Sequence, residues 1–126
     1  MKFFICIFLL SIATMSFAEN LYTDDYSTCM ELSGGNDFEM SVCISSEYAV
    51  QDKKLNEVYK KLMSQLSDQR KQALREAQRQ WIVYTEKNCA FYGDPDGGTM
   101  AQLSAQECML SSRAERAKEL EMFLEK

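Results

Sequence analysis

The most constraining feature of this sequence is a stripe of side chains at helical spacing near its middle. Apolar residues that recur about every 3.6 positions place one face of a helix against a core. One position breaks the pattern, because Asp52 carries a carboxylate in line with the apolar residues, and an unpaired buried charge is very costly. We therefore expect Asp52 to find a hydrogen-bond donor or to reach water. The stripe comprises Tyr48, Asp52, Leu55, Tyr59, Leu62 and Leu66.

The first 18 residues are typical of a secretory signal peptide. Lys2 supplies a positive start, residues 3–12 are almost all apolar, and Ser16 and Ala18 place small side chains at the −3 and −1 positions of a cleavage site. The apolar run is shorter than the roughly 20 residues that a membrane span requires. We therefore expect export, cleavage after Ala18, and a mature domain at residues 19–126 with no membrane span.

The mature chain is acidic. With Lys2 removed, 13 basic side chains stand against 19 acidic ones, which gives a net charge of −6. Nucleic-acid binding requires a basic surface that neutralises phosphates, so this function is disfavoured. The charge is compatible with a cationic protein partner, although acidity commonly serves solubility alone.

Four cysteines remain after cleavage, and an even number in a small exported domain predicts two disulfides. A metal site is disfavoured, because the chain has no His and no CxxC pair. We prefer the pairs Cys29–Cys43 and Cys89–Cys108, since each closes a short loop. The alternative joins Cys43 to Cys89 and forces Cys29–Cys108.

Start and stop signals predict an all-α fold, a small antiparallel bundle of three to four helices. Asn36 or Asp37 is suited to cap the first long helix, and Ser67 or Asp68 to cap the next. A short break between two long helices favours an antiparallel hairpin, with Cys89 beside Cys43. The expected segments are a short turn at 26–32 and helices at about 38–66, 69–91 and 99–124.

The apolar faces of the last two helices are also visible in the sequence. The first of these faces has Gln78 beside it, and Cys108 points away from the second, which suggests an irregular helix or a bond outside the main core. The predicted faces are Leu74, Ala77, Trp81 and Tyr84, followed by Leu103, Leu110, Ala114, Ala117, Leu120 and Leu124.

A loop rich in Gly and Asp separates these two helices. The segment from Tyr92 to Gly98 contains the only proline and both Asp94 and Asp96, and its composition is typical of turns. Thr99 with Gln102 matches the capping-box pattern that begins a helix.

The sequence offers little for catalysis. It lacks His, so no nucleophile has an imidazole base, and the cysteines are better used as bridges. Gly97 and Gly98 do not lie between a strand and a helix, so they do not form a phosphate-binding loop. We expect a non-enzymatic protein without a cofactor.

Asp52 and Asn56 lie four residues apart at the edge of the stripe. They are either a polar contact site for a partner or a buried pair that holds the helices in register, and we prefer the second interpretation. The candidate partners of Asp52 are Arg116, Gln78 and the indole N–H of Trp81. Trp81 itself is expected to anchor the core.

With these residues the chain resembles the LprI-type family of lysozyme inhibitors, over nearly the whole mature sequence. Two positions depart from the family pattern: Thr85-Glu86 stand where Arg-Asp are usual, and Arg113 stands where threonine is common. The matching residues are Glu39, Met40, Cys43, Asp52, Leu55, Asn56, Tyr59, Leu74, Ala77, Gln78, Trp81, Cys89, Gly97, Gly98, Thr99, Cys108, Arg116 and Leu120.

The resemblance implies a helical, disulfide-bonded protein of the bacterial envelope that inhibits lysozyme. A cationic lysozyme would be attracted to a chain of net charge −6. The loop at 92–99 is the expected contact surface, with Asp94, Asp96, Gly97 and Gly98 as its exposed part. The alternative is a periplasmic stress or immunity-type protein with a different, non-lysozyme partner.

Overall fold

The computed structural model describes residues 20–124, and within this range the chain forms four helices and no strand. This confirms the predicted all-α class. The predicted signal peptide lies outside the described residues. Among the described helices, none combines the length and apolar character needed to span a bilayer. The helices are α1 (Asp24–Leu32), α2 (Asp37–Gln65), α3 (Asp68–Tyr92) and α4 (Gly98–Glu121).

Side-chain caps explain where the first three helices begin. Thr23, Asn36 and Ser67 each accept a hydrogen bond from the backbone N–H three residues later, which satisfies an amide that would otherwise lack a partner at a helix start.

The fourth helix begins differently, and the predicted Thr99 cap is wrong. Its cap residue is Gly97, which makes no side-chain cap bond, and Gly98 has a φ of +63°. A Cβ on Gly97 would come within 2.6 Å of the Ala101 Cβ, so the backbone itself requires glycine here. The Thr99 hydroxyl instead donates to Asp37 Oδ2 at 2.6 Å and ties the start of α4 to the start of α2.

The last helix packs against both α2 and α3, while α2 and α3 contact each other little. Ser41 on α2 donates to Gln106 on α4, and Arg116 on α4 donates to Gln78 on α3. Together with the Thr99–Asp37 bond, these contacts make α4 parallel to α2 and antiparallel to α3. In the predicted hairpin α2 and α3 would pack directly on each other, whereas in the structure α4 lies between them.

The core consists of two apolar clusters along α2 and α4. We call the larger one, near the α2–α3 turn, the distal cluster, and the smaller one the proximal cluster. The distal cluster is Leu55, Val58, Leu62, Ala117 and Leu120, with Tyr59, Leu66, Leu74, Trp81 and Leu124 packed against it. The proximal cluster is Ile44, Leu103 and Leu110, with Tyr22, Tyr26, Met30, Met40 and Tyr48 packed against it.

The apolar members of the predicted stripe on α2 and the predicted face of α4 lie in or against this core, whereas the Asp52 side chain is 41% exposed and the predicted line on α3 is partly wrong. Ala77 and Tyr84 are exposed, whereas Thr85 and Cys89 are fully buried. The buried face of α3 runs from Trp81 to Thr85, one helical turn later, and on to Cys89. Because Thr85 is polar, the apolar pattern of the sequence did not include it.

Both disulfides follow the preferred pairing. Cys29 bonds to Cys43 across α1 and α2, with a Cα–Cα distance of 5.7 Å, and Cys89 bonds to Cys108 across α3 and α4 at 5.3 Å. The alternative Cys43–Cys89 pairing is therefore excluded. Cys108 points away from Leu110 because α4 has two packed faces, and Cys108 lies on the one toward α3.

We expect removal of either bridge to destabilise the fold by about 3 kcal/mol, because the closed loops of 14 and 19 residues restrict the unfolded chain to a similar extent. The paired variants Cys29→Ala/Cys43→Ala and Cys89→Ala/Cys108→Ala are compared in urea unfolding. The first should also lose hydrogen-exchange protection in α1, which buries no side chain fully. Unchanged protection in α1 would contradict the role assigned to this bridge.

Candidate functional site

Asp52 binds Arg113, which is not one of the three partners predicted from the sequence. Arg113 Nε donates to Asp52 Oδ1 at 3.1 Å, with side-chain exposures of 10% and 41%. The Arg113 guanidinium also lies over the Tyr48 ring at 5.4 Å and over the Trp81 ring at 4.9 Å from the centroids, within the range of cation–π attraction. One side chain of α4 thus joins α2 to α3 at the level between the two apolar clusters.

The other residues of the predicted polar set pair within the fold. Asn56 donates to the second oxygen of Asp52 at 3.3 Å. Arg116 donates through Nε to Gln78 Oε1 at 3.0 Å, and its guanidinium lies 5.9 Å from the Trp81 centroid. Asp52 and Asn56 are not the buried pair that was predicted, because their bond lies within α2 and Asn56 is exposed. The bonds that join different helices are Arg113–Asp52 and Arg116–Gln78, and we interpret these as a register-fixing network.

The two departures from the family pattern concern one face of the bundle. Thr85 on α3 is buried one helical turn after Trp81. The Arg113 guanidinium of α4 lies over the Trp81 ring. In this chain the arginine beside Trp81 comes from α4, at position 113, and it is this arginine that binds Asp52.

A second polar contact, missed in the sequence, fixes the segment before α1. Glu47 is only 3% exposed and accepts hydrogen bonds from the Thr23 amide (3.0 Å), the Thr23 hydroxyl (2.6 Å) and the Gln51 amide group (2.7 Å). Three donors satisfy this carboxylate without a cation. Glu47 and Gln51 lie on the buried face of α2 with Ile44 and Leu55. Their helical spacing from these two apolar residues is the feature of the sequence that could have predicted their burial.

Tyr26 fixes α1 to α4 in a similar way. Its hydroxyl donates to Glu107 Oε1 at 2.6 Å. Burial, and then the hydrogen bond to Glu107, raise the pKa of the Tyr26 phenol well above its ordinary value, so we expect the phenol to remain a donor in alkaline solution where a free tyrosine would ionise.

The charges of the protein are strongly segregated. Residues 20–51 and 88–112 contain nine Asp or Glu and no Lys or Arg, whereas residues 52–87 and 113–124 contain eight acidic and all twelve of the described basic side chains. The fold brings the first two ranges together, because the start of α2, the end of α3 and the start of α4 meet. We call this half, residues 20–51 and 88–112, the acidic end.

The loop between α3 and α4 lies on the acidic end and has a defined conformation. Asp94 Oδ1 accepts from the Asp96 amide at 2.9 Å, and the Asp94 carbonyl accepts from the Gly97 amide at 3.0 Å. Next to the loop, Phe91 is 85% exposed, and Tyr92 is also exposed. The loop therefore presents carboxylates beside aromatic rings, a combination suited to protein contacts.

A cleft lies where α2 and α3 diverge. It has a volume of about 490 Å³, and α4 forms its floor. Its lining is mostly apolar, with Ile44, Tyr48 and Met109 as its largest side chains and Glu86 at its edge. The apolar lining suits an apolar group. Residues 20–124 contain no group of acidic or cysteine side chains arranged to bind a metal ion.

We expect Asp52→Ala to destabilise the fold by about 1–3 kcal/mol, because it leaves the buried Arg113 without its carboxylate. Arg113→Met should also destabilise the fold, but by less than Asp52→Ala, because the Asp52 carboxylate left behind is 41% exposed and can reach water. This change also removes the buried Nη1 that has no hydrogen-bond partner among the described groups. Urea unfolding measures both.

Glu57→Ala is the matched control for Asp52→Ala, because Glu57 lies on the same helix and pairs with Lys53 in an exposed position. This variant should change stability by less than about 0.5 kcal/mol. Equal effects of Asp52→Ala and Glu57→Ala would contradict the assignment of Asp52 to the register-fixing network.

Most of the residues that form this geometry lie within a match to a known protein family. The family model described as lysozyme inhibitor LprI matches residues 29–120, a range that includes both disulfides and the Asp52–Arg113 pair. An uncharacterized protein of Rhizobium meliloti (strain 1021) is 25% identical over 101 residues, covering 69% of this chain and 73% of that relative. No solved structure matches the chain. The family match extends over most of the sequence, and the chain belongs to the lysozyme inhibitor LprI family.

Proposed function

We propose that this chain is an exported, non-enzymatic protein that binds a cationic lysozyme and inhibits it. The observation that carries this proposal is the acidic end, where an exposed loop lies in a half of the molecule without a single basic side chain. Membership of the LprI family supports the target class, and two disulfides support an oxidising compartment such as the periplasm or the cell exterior.

The loop at 92–99 is proposed as the part that meets the enzyme. Asp94 and Asp96 supply negative charge, and the neighbouring rings of Phe91 and Tyr92 lie 6.5 Å apart as exposed apolar area. The Thr99–Asp37 bond and the adjacent Cys89–Cys108 bridge hold both ends of the loop. A loop that is already ordered loses less entropy on binding, which favours affinity.

Inhibition without catalysis is supported by the chemistry of the acidic groups. Glu47 and Asp52 are occupied by internal donors, and the sequence supplies no imidazole base. The proposed mechanism is therefore steric and electrostatic. The protein occupies the surface around the lysozyme cleft and thereby excludes the polysaccharide.

The oxidised mature protein, residues 19–126, is titrated against several cationic lysozymes in a peptidoglycan hydrolysis assay. We expect saturable inhibition that weakens as salt rises from low to physiological concentration, because screening reduces the attraction between opposite charges. Undiminished hydrolysis by every lysozyme class would overturn the proposed function. Capture of a different basic envelope protein from periplasm would then favour the stress or immunity-type alternative.

The double variant Asp94→Asn/Asp96→Asn should weaken inhibition roughly tenfold at low salt, chiefly through slower association. Asparagine retains the oxygen that accepts from the Asp96 amide, so the turn is preserved. Glu57→Gln/Glu76→Gln, on the other half of the molecule, removes the same charge and is the control. Equal inhibition by both double variants would contradict a role for the loop.

Export is tested separately. Cells that express the full chain should contain a periplasmic or secreted form that begins at Glu19, as determined by N-terminal sequencing. A Ser16→Arg/Ala18→Arg variant should retain the leader, because small residues are required at the cleavage site. A cytosolic, uncleaved wild-type chain with free thiols would contradict the export prediction.

A further inference from the structure

A groove between α1 and α2 has the same combination of charge and apolar surface as the loop. It has a volume of about 530 Å³. Leu32 is 80% exposed and Phe38 78% exposed, and both line the groove together with the exposed Val42. Asp25 and Glu39 lie at its edges. Large apolar side chains exposed together and surrounded by polar groups mark interaction surfaces.

The floor of the groove is rigid. Cys29 and Cys43 line it, and the bridge between them joins the two helices that form its walls. The Glu47–Thr23 bonds hold the start of α1 on the same side of α2. The groove is therefore formed before any partner arrives, which lowers the entropic cost of binding.

The charge around the groove selects the kind of occupant. The whole acidic end lacks Lys and Arg, so a second copy of this chain would bring like charges together, and an anionic membrane surface would be repelled. The groove suits a partner segment with an apolar side chain flanked by Lys or Arg. The apolar side chain would pack on Leu32 and Phe38, and the basic groups would pair with the carboxylates of Asp25 and Glu39.

We propose that the groove is a second docking site of the acidic end and binds an exposed apolar side chain of a basic partner protein, with the flanking basic groups paired to Asp25 and Glu39. The groove and the loop at 92–99 are linked through the Asp37–Thr99 hydrogen bond at the start of α2. The identification of this partner as a lysozyme rests on the proposed function, but the chemistry of the groove does not.

Phe38→Ser and Leu32→Ser test the site in the mature, oxidised protein. Each should weaken binding to the inhibited lysozyme about tenfold or more, as truncation of a buried apolar anchor does, measured by titration calorimetry. Because the lost contact is apolar, the loss should persist at high salt. Val83→Ser is the matched control, since Val83 is also exposed but lies outside the acidic end.

Unfolding curves of the three serine variants should match those of the wild type, because the replaced side chains are exposed. Inhibition by Phe38→Ser and Leu32→Ser that equals inhibition by Val83→Ser would overturn the groove while the proposed function stands.

A second measurement does not depend on lysozyme. A soluble peptide of alternating Lys and Leu is titrated into the ¹⁵N-labelled mature protein, and amide shift changes are mapped. Changes centred on Leu32, Phe38 and Val42, lost in Phe38→Ser, support the groove even where no lysozyme is inhibited. Changes confined to the α2–α3 cleft or to the loop would overturn it.

Discussion

The contact on which this fold depends is the placement of the Arg113 guanidinium between three helices. It comes from α4, binds Asp52 on α2 and lies over Trp81 on α3. The distal and proximal clusters lie on either side of it. An apolar core alone permits neighbouring helices to slide by a turn, whereas a buried charge with one carboxylate partner is satisfied in a single register. We therefore expect the pair to favour the observed register of α4 on α2.

Much of this architecture follows from local chemistry. The boundaries of α2 and α3 agree with the sequence to within one residue, because Asn36 and Ser67 are strong caps at their starts. The disulfide pairing follows from short loop closure. What the sequence did not reveal depends on tertiary placement. A helical period shows that Asp52 and Arg113 each lie near a buried face, but it does not show that these two faces meet. Likewise, the Thr99 hydroxyl binds Asp37 of α2 instead of capping α4, and the sequence does not show that Asp37 lies close to it.

The candidate site shows the same division between local and tertiary information. The absence of Lys and Arg from residues 20–51 and 88–112 is visible in the sequence, but as two stretches separated by a third of the chain. The net charge of −5 of the full sequence carries little functional information, because acidity commonly serves solubility. The packing of α2, α3 and α4, with α4 parallel to α2, brings the two stretches to one end of the molecule. The negative charge is therefore concentrated at that end. The exposed Phe38 and Phe91, which helical periodicity treats as ordinary surface positions, then belong to one half of the molecule.

The two ends of the bundle are stabilised by different means, and this difference bears on binding. All four bridged cysteines belong to the acidic end, where the apolar cluster is the smaller one and large apolar side chains such as Leu32 and Phe38 face solvent. The other end has the larger cluster and no bridge among the described residues. Apolar side chains that remain on the surface contribute little to folding, so the acidic end requires another source of order, and covalent bridges supply it by restricting the unfolded chain. The same bridges hold the groove and the loop in shape before contact, and a binding surface that is already ordered loses less entropy when a partner docks.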